Sequence, residues 1–513
     1  MREAASGRQV ARTASLLTML ALAGKPVNFL KDIVVAALFG TTAAKDAYLV
    51  AFALPDLISG LAIEGLSGVL VPIFTEYASK GDEEHAWRVA SSIANAIVVL
   101  LSIMTLVVLV AAPLLVSLLA PAFPPDTHAL AVRLARLMAV SMIFMGMQGL
   151  VASVLNAHQR FAAPALVPLA FNSAMIAVVV LTSHTLGIDG LALATIAGAL
   201  CMVLVQLPRL PWQRLRYYAV IDLRDEGTRR FTRLAGPLIL GTLVLSSTGI
   251  INRIFGSFLP AGSLAALDFA LRTTGIAYVV APALATVLLP TLSRQASLGQ
   301  WADFQARLML GVKILLLVNL PATAGLILLS QPIVRLLFQR GIFDQHSTAV
   351  TSAALAWYSL GLVSYGLYYL LINTFYALQN TMIRIQAGLV LVATYIVGNL
   401  VLVNIMGANG IALSYGLAHT AACILLLFRL GRRLAWHVER AVAGFAGRVL
   451  MATLFMSTVV GLLHSSIGPD TWQGTFVNVA AATLATGGAG IAAYGTALWL
   501  LGVDEIRHLR SFL

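Results

Sequence analysis

The sequence predicts an all-α, polytopic membrane protein of about fourteen transmembrane helices, in two six-helix lobes plus two C-terminal helices. Three observations predict it. Hydrophobic residues make up 59 % of the 513 residues and charged residues only 11 %, where soluble domains run at roughly 45–50 % and about 25 %. The apolar residues fall in continuous runs such as 96–119 and 313–330, not in the ten-residue alternation of barrel strands. A bilayer demands a backbone satisfied within itself, and runs of that length meet the demand as helices. Finally, 23 of the 33 lysines and arginines fall on one side of this threading and 3 (Lys45, Arg335 and Arg340) on the other, with seven inside spans, the asymmetry that marks a cytoplasmic face. A mean hydropathy of +0.89 agrees. Polar residues are too few for disorder, and two cysteines are too few for a disulfide scaffold.

With about 20 apolar residues needed per span, the chain reads as spans near 13–39, 47–78, 89–119, 129–155, 164–183, 189–208, 234–259, 264–291, 308–330, 349–377, 383–404, 410–428, 446–465 and 475–502. The basic start (Arg2, Arg8, Arg12) resembles a signal peptide. The apolar stretch after it is long, holds Lys25 and Lys31 and has no clear small-residue cleavage site, so it reads as a retained first span. Several spans exceed twenty residues, which predicts tilt or kinks. An even count puts both termini in the cytoplasm. The net charge of +12 then mostly reflects topology, and no nucleic-acid partner is expected. The Arg-rich cytoplasmic segment 209–233 is expected to meet anionic lipid heads. Arg133 and Arg136, at the outer end of span 4, read as interfacial, and Lys313 as a snorkelling lysine.

The chain carries an internal repeat. Gly187-Ile-Asp-Gly190 resembles Gly407-Ala-Asn-Gly410 at an offset of 220, and Ala157-His158-Gln159 matches Ala377-Leu378-Gln379 at the same offset. Leu70-Val71-Pro72 resembles Leu288-Leu289-Pro290 at 218, and Leu38-Phe39-Gly40 resembles Ile254-Phe255-Gly256 at 216. Collinear matches at nearly one offset favour duplication over chance. Six spans separate the copies, so both face the same way, a transporter plan. The expected organisation is an N-terminal lobe at 1–208, the basic loop 209–233, a C-terminal lobe at 234–430 and two further spans in 431–513.

Ionisable residues inside spans each cost roughly 2.5–3.5 kcal/mol at mid-helix, so they are the sharpest functional signal. Lys25, Lys31 and Asp32 lie in span 1, Asp46 opens span 2 and Glu64 lies within it. Arg253 lies in span 7, and Asp268 and Arg272 share a helix face at i, i+4 in span 8. These are the first two spans of each copy, which points to a shared central cavity and, from the excess of cations, to an anionic substrate, a phosphate or pyrophosphate. The competing reading is structural: Arg272 with Asp268 as a satisfied pair, Lys31 with Asp32 near an interface. No metal-ligand spacing appears among the histidines, and Cys201 and Cys423 read as packing residues. Gly24-Lys25 lacks the rest of a phosphate-binding loop. The longest outer segment, near 331–348, has only Asp344 as a carboxylate. These absences weigh against an enzyme.

The segment Leu337-Phe338-Gln339-Arg340-Gly341-Ile342-Phe343-Asp344 resembles the Leu-Phe-(Glu/Gln)-Arg-Gly-x-Phe signature of the MurJ/MviN family. Lys31-Asp32-Ile33, Leu38-Phe39-Gly40, Asp46-Ala47-Tyr48, Leu54-Pro55-Asp56 and Glu64-Gly65 follow that family's opening pattern in order. Leu155-Asn156, Arg160-Phe161, Pro164, Gln206-Leu207-Pro208, Leu289-Pro290 and Phe375-Tyr376-Ala377 also match. The resemblance covers nearly the whole chain. It implies a fold of the multidrug/oligosaccharidyl-lipid/polysaccharide exporter superfamily. The implied activity is a flippase that carries lipid II, the undecaprenyl-pyrophosphate-linked peptidoglycan precursor, across the bacterial inner membrane by alternating access. The implied partners are that lipid-linked anionic glycan, membrane lipids and other envelope-synthesis proteins. No cofactor is implied, and a membrane potential or cation gradient would drive transport. The family's two span-1 arginines align with Lys25 and Lys31, its span-2 Asp with Asp46 and its span-8 Arg with Arg272. The chain departs at Ser59-Gly60, where the family has an Arg pair, and at Gly275, where it has an acid; Arg253 is a candidate replacement for the lost charge. The alternatives are a flippase for another lipid-linked glycan, an exopolysaccharide or O-antigen unit, and a cation-coupled multidrug exporter.

Overall fold

The computed structural model describes residues 24–61, 66–213, 215–380, 382–434, 440–472 and 474–503. Among these residues all regular structure is helical. Among the described residues ten helices are long and apolar enough to cross a membrane, and two bent helix pairs, each taken as one span, bring the total to twelve. They take up spans 3 to 14 of the sequence reading one by one. Span 1 appears as a helix over 24–39. Span 2 appears as Ala43–Ala51, Ala53–Leu61 and Ser67–Ser79. Residues 13–23 of span 1 and 62–65 of span 2 lie outside the described residues, and Glu64 with them.

The two bends have different causes. Span 8 breaks by 40° between Ser263–Tyr278 and Val280–Ser297. Pro282 lacks the N–H that would pair with the Tyr278 carbonyl, so the ladder opens there. Span 10 breaks by 46° between Gln345–Leu360 and Leu362–Ala377. At that break Gly361 meets Gly416 of span 12, and a Cβ on Gly361 would lie 2.7 Å from the Gly416 Cα. No side chain fits between them.

Contacts group Met1–Gly262 as one compact unit and Ser263–Leu513 as another. The span 7 helix, Glu226–Gly256, therefore counts with the first unit, whereas the repeat pairs it with span 1. It packs there on spans 2 and 3. Arg230 at its start meets Glu76 at 2.6 Å. The core of this corner is Leu66, Ile73, Phe74, Trp87 and Ile93. In the second unit, spans 13 and 14 pack on each other and span 13 packs on span 9. Phe445, Val449 and Leu498 close on Leu317, and the Tyr494 hydroxyl donates to the Leu317 carbonyl at 2.7 Å.

The repeat is written in the backbone of each unit. Ala162–Leu186 and Met382–Met406 are both 25 residues long and start 220 residues apart. The turn before each holds a glutamine in the left-handed region, Gln159 at φ 58° and Gln379 at φ 57°. The Arg160 N–H reaches the Leu155 carbonyl at 2.8 Å and the Asn380 N–H the Phe375 carbonyl at 2.9 Å. Each is the closing bond of a left-handed helix cap, a place where glycine is usual. After these helices Gly187 and Gly407 take φ 53° and 59°. The Gly40 and Gly256 match is weaker: Gly40 is left-handed at φ 55°, while Gly256 ends a helix.

Candidate functional site

Of the charged residues singled out in the sequence, Asp46 lies in the first turn of its helix and Arg253 in the last turn of its own, whereas Lys31, Asp32, Asp268 and Arg272 lie inside theirs. In span 1, Lys31 and Asp32 are buried, at 8 % and 5 % exposure. The Lys31 ammonium lies 3.0 Å from Asn28 Oδ1 and 3.2 Å from Asp32 Oδ1. Lys25 is exposed. Six residues of helix turn it roughly 120° away from Lys31.

Span 2 begins with Thr42, whose side chain caps Ala43–Ala51 by accepting from the Lys45 N–H. The first turn then buries two charges, Lys45 at 4 % and Asp46 at 3 % exposure. Asp46 Oδ2 accepts the Gly262 N–H at 2.6 Å. The Lys45 ammonium stands 4.6 Å from the centre of the Tyr48 ring, a cation–π distance. Lys45 reads as an outer-loop cation in the sequence; tertiary packing, which no local pattern marks, buries it instead.

Arg253 closes the break in span 2. A helix that ends at Ala51 leaves its last carbonyls without donors, and Arg253 Nε donates to one of them, Leu49 O, at 2.9 Å. Its Nη2 lies 3.8 Å from Asp56 Oδ2. Arg253 is mostly shielded and Asp56 mostly open, at 15 % and 60 % side-chain exposure. Asp56 is the partner that sequence reasoning missed, and the break that brings it close has no local signal beyond Pro55.

In the second unit Arg272 Nε donates to Asp268 Oδ2 at 2.9 Å, with 35 % and 22 % exposure. This i, i+4 pair stays open to solvent on one side. An adjoining face of the same helix, roughly 60–100° round the axis from the pair, is held by the signature segment. Phe269 packs against Phe338 and Phe343, with ring centres 5.2 and 5.6 Å away, and both partners are almost wholly buried. Gly341 turns the segment at φ 60°. Asp344 ends it by capping Gln345–Leu360 through the Ser347 N–H at 2.8 Å. The Ser347 N–H and hydroxyl hold the Asp344 carboxyl below its ordinary range. The signature is thus scaffolding that fixes the helix carrying Arg272.

The structure joins Lys31 with Asp32, Arg253 with Asp56, Asp46 with the Gly262 backbone, and Arg272 with Asp268. Ammonium and guanidinium groups held this way can bind phosphate oxygens, the guanidiniums bidentately. Among the described residues no group of three or more His, Cys, Asp or Glu stands close enough to hold a metal ion.

A duplicated six-span frame with ionisable groups on its first two spans defines a polytopic membrane transporter. The comparisons with known proteins name it further. The family model described as "Lipid II flippase MurJ" matches residues 35–481, and the chain belongs to that family. The lipid II flippase MurJ of Burkholderia cenocepacia is 28 % identical over 475 residues, covering 90 % of this chain and 91 % of the relative. The probable lipid II flippase MurJ of Vibrio cholerae is 27 % identical over 532 residues, covering 100 % and 99 %. A solved lipid II flippase MurJ in an inward closed conformation superposes with a TM-score of 0.83 at 23 % identity, covering 96 % of this chain and 99 % of that one. An inward-facing multidrug resistance transporter of the MATE family shares the fold at a TM-score of 0.68 and 17 % identity, covering 82 % and 98 %.

Proposed function

We propose that this chain is a flippase that moves lipid II, the lipid-linked peptidoglycan precursor, across the bacterial inner membrane. The observation that carries the reading is the family match over residues 35–481. The physical need is clear: a phosphorylated glycan carried bare through hydrocarbon would meet a prohibitive desolvation penalty, and a hydrated, cationic cavity replaces that lost solvation. Lys25, Lys31 and Arg272 bind the pyrophosphate, with Arg253 adding charge, while Asp32, Asp46, Glu64 and Asp268 hold the cations and weaken their grip so that the head group leaves. The polyprenyl tail stays in the bilayer. The two repeat lobes, 1–208 and 234–430, expose the site to each leaflet in turn. A membrane potential or cation gradient drives the cycle, with no resident cofactor, and other envelope-synthesis proteins receive the product.

Depletion of the protein should accumulate lipid II in the inner leaflet. The check is the outer-leaflet fraction of lipid II, probed in spheroplasts with a membrane-impermeant lipid II-cleaving toxin. An unchanged fraction on depletion would remove lipid II as the substrate. The departures at Ser59-Gly60 and Gly275 favour a second reading in that event, another lipid-linked glycan, which the same depletion would accumulate instead.

Both termini lie in the cytoplasm in this reading, from the charge asymmetry of the loops. Reporter fusions should report cytoplasm at Asp225 and periplasm at Asp126 and Asp470. A clear reversal at any of these sinks the orientation.

A further inference from the structure

A second cationic site lies in the first unit, at the outer end of spans 3 and 4 in the proposed orientation. Pro113 lies inside the continuous span 3 helix, Glu83–Leu119. It has no N–H for the Leu109 carbonyl, which a membrane cannot hydrate. Arg136 of span 4 supplies the missing donor: its Nε reaches Leu109 O at 3.0 Å. That bond fixes the guanidinium, and its two Nη groups have no protein partner among the described residues. One turn earlier, Arg133 Nη2 is held by Asp189 Oδ2 at 2.9 Å and remains 59 % exposed. His128 Nε2 meets the Ser117 hydroxyl at 2.9 Å. These three side chains line one open pocket of about 590 Å³ with Pro113, Val132 and Leu137 as its apolar wall. The volume falls in the range of roughly 300–1,000 Å³ usual for small-molecule sites.

We propose that this pocket seats the phosphate of an anionic phospholipid of the outer leaflet. Two pre-positioned guanidiniums are the donors that phosphate oxygens require. The surface leading to the pocket suits the acyl chains: Leu106, Val110, Leu114 and Leu118 of span 3 form a stripe at helical spacing, 60–72 % exposed. The fold itself does not demand the cations. At the offset of 220, the second copy has Ala353 and Ala356 in place of Arg133 and Arg136, and Asn409 in place of Asp189. None of the pocket's lining residues is among those proposed to bind the transported pyrophosphate.

The test is native mass spectrometry of the full-length protein, delipidated and then supplied with phosphatidylglycerol or phosphatidylcholine. Wild type should retain phosphatidylglycerol at energies that strip phosphatidylcholine. Arg133→Gln/Arg136→Gln should retain one phosphatidylglycerol fewer, while Arg233→Gln on the cytoplasmic segment leaves the pocket lipid in place. Arg136→Gln alone keeps an amide to cap Leu109; it should weaken that lipid by a factor on the order of five, one surface charge's worth, and it stands in if the double variant fails to assemble. Equal retention of the two lipids by wild type would overturn the proposal, as would an unchanged lipid count in the double variant. Displacement by glycerol phosphate as readily as by phosphatidylglycerol would overturn it too, because the site would then take a soluble anion.

Discussion

Arg272→Ala is expected to cut outer-leaflet delivery of the lipid-linked precursor by about tenfold or more. A hydrogen bond to a charged group contributes about 1.5–3 kcal/mol, and each 1.4 kcal/mol is a factor of ten. The substitution also takes from Asp268 its partner at 2.9 Å and makes the local charge more negative where an anionic substrate is to bind. Lys31→Ala should lose a similar factor, since it too strips a cation from a buried carboxylate. Lys25→Arg should keep or raise the rate, because it restores a bidentate donor. The measurement is the rate of outer-leaflet appearance at matched membrane levels. Wild-type rates in Lys25→Ala, Lys31→Ala and Arg272→Ala together would make these charges structural and end the cavity proposal.

Gly262→Ala should lower stability by at least ~3 kcal/mol, from a left-handed backbone and a buried clash acting together. Gly262 sits at φ 88°, and a Cβ there would lie 2.1 Å from the Thr41 carbonyl oxygen. Backbone cannot move aside as a flexible side chain can. The same shift would pull the Gly262 N–H away from Asp46 Oδ2, now 2.6 Å distant, and leave a buried carboxylate short of a donor. Gly275→Ala is the control: it is a helix position with nothing within 4 Å of the added carbon, so it should be neutral or slightly stabilising. Thermal melts of the purified protein decide it; equal melting temperatures for Gly262→Ala and wild type would contradict the packing described for that turn.

The spans were legible because a bilayer fixes how long an apolar run must be, and spans 3 to 14 each found their helix. The internal repeat was legible for a related reason: turns such as those at Gln159 and Gln379 demand the same backbone in both copies. What failed to show were partners far away in sequence. Asp46 and Gly262 are 216 residues apart and Arg253 and Leu49 are 204 apart, and no local pattern marks either contact. Lys45 falls between the spans read at 13–39 and 47–78 and so counts as an outer-loop cation, but tertiary packing buries it. The signature segment 337–344 was recognisable as a motif, but its role depends on Phe269, on another helix. The bend at Gly361 likewise depends on Gly416 and has no trace in its own neighbourhood.

The doubled frame has a consequence for biosynthesis. As the chain leaves the ribosome, every segment of the first copy acquires a near-duplicate about 220 residues later, and repeat chains are prone to misassembly between such stand-ins. The features that the copies do not share sort them. Arg133 of span 4 finds Asp189 on span 6, but the matching position of span 12 offers Asn409, and span 10 offers Ala353 to Asp189. A hairpin docked in the wrong half would strand one of these charges in or near hydrocarbon. The Glu76 and Arg230 pair adds a second check once span 7 has been made. The charges that differ between the halves thus act as address labels during assembly, before any substrate arrives.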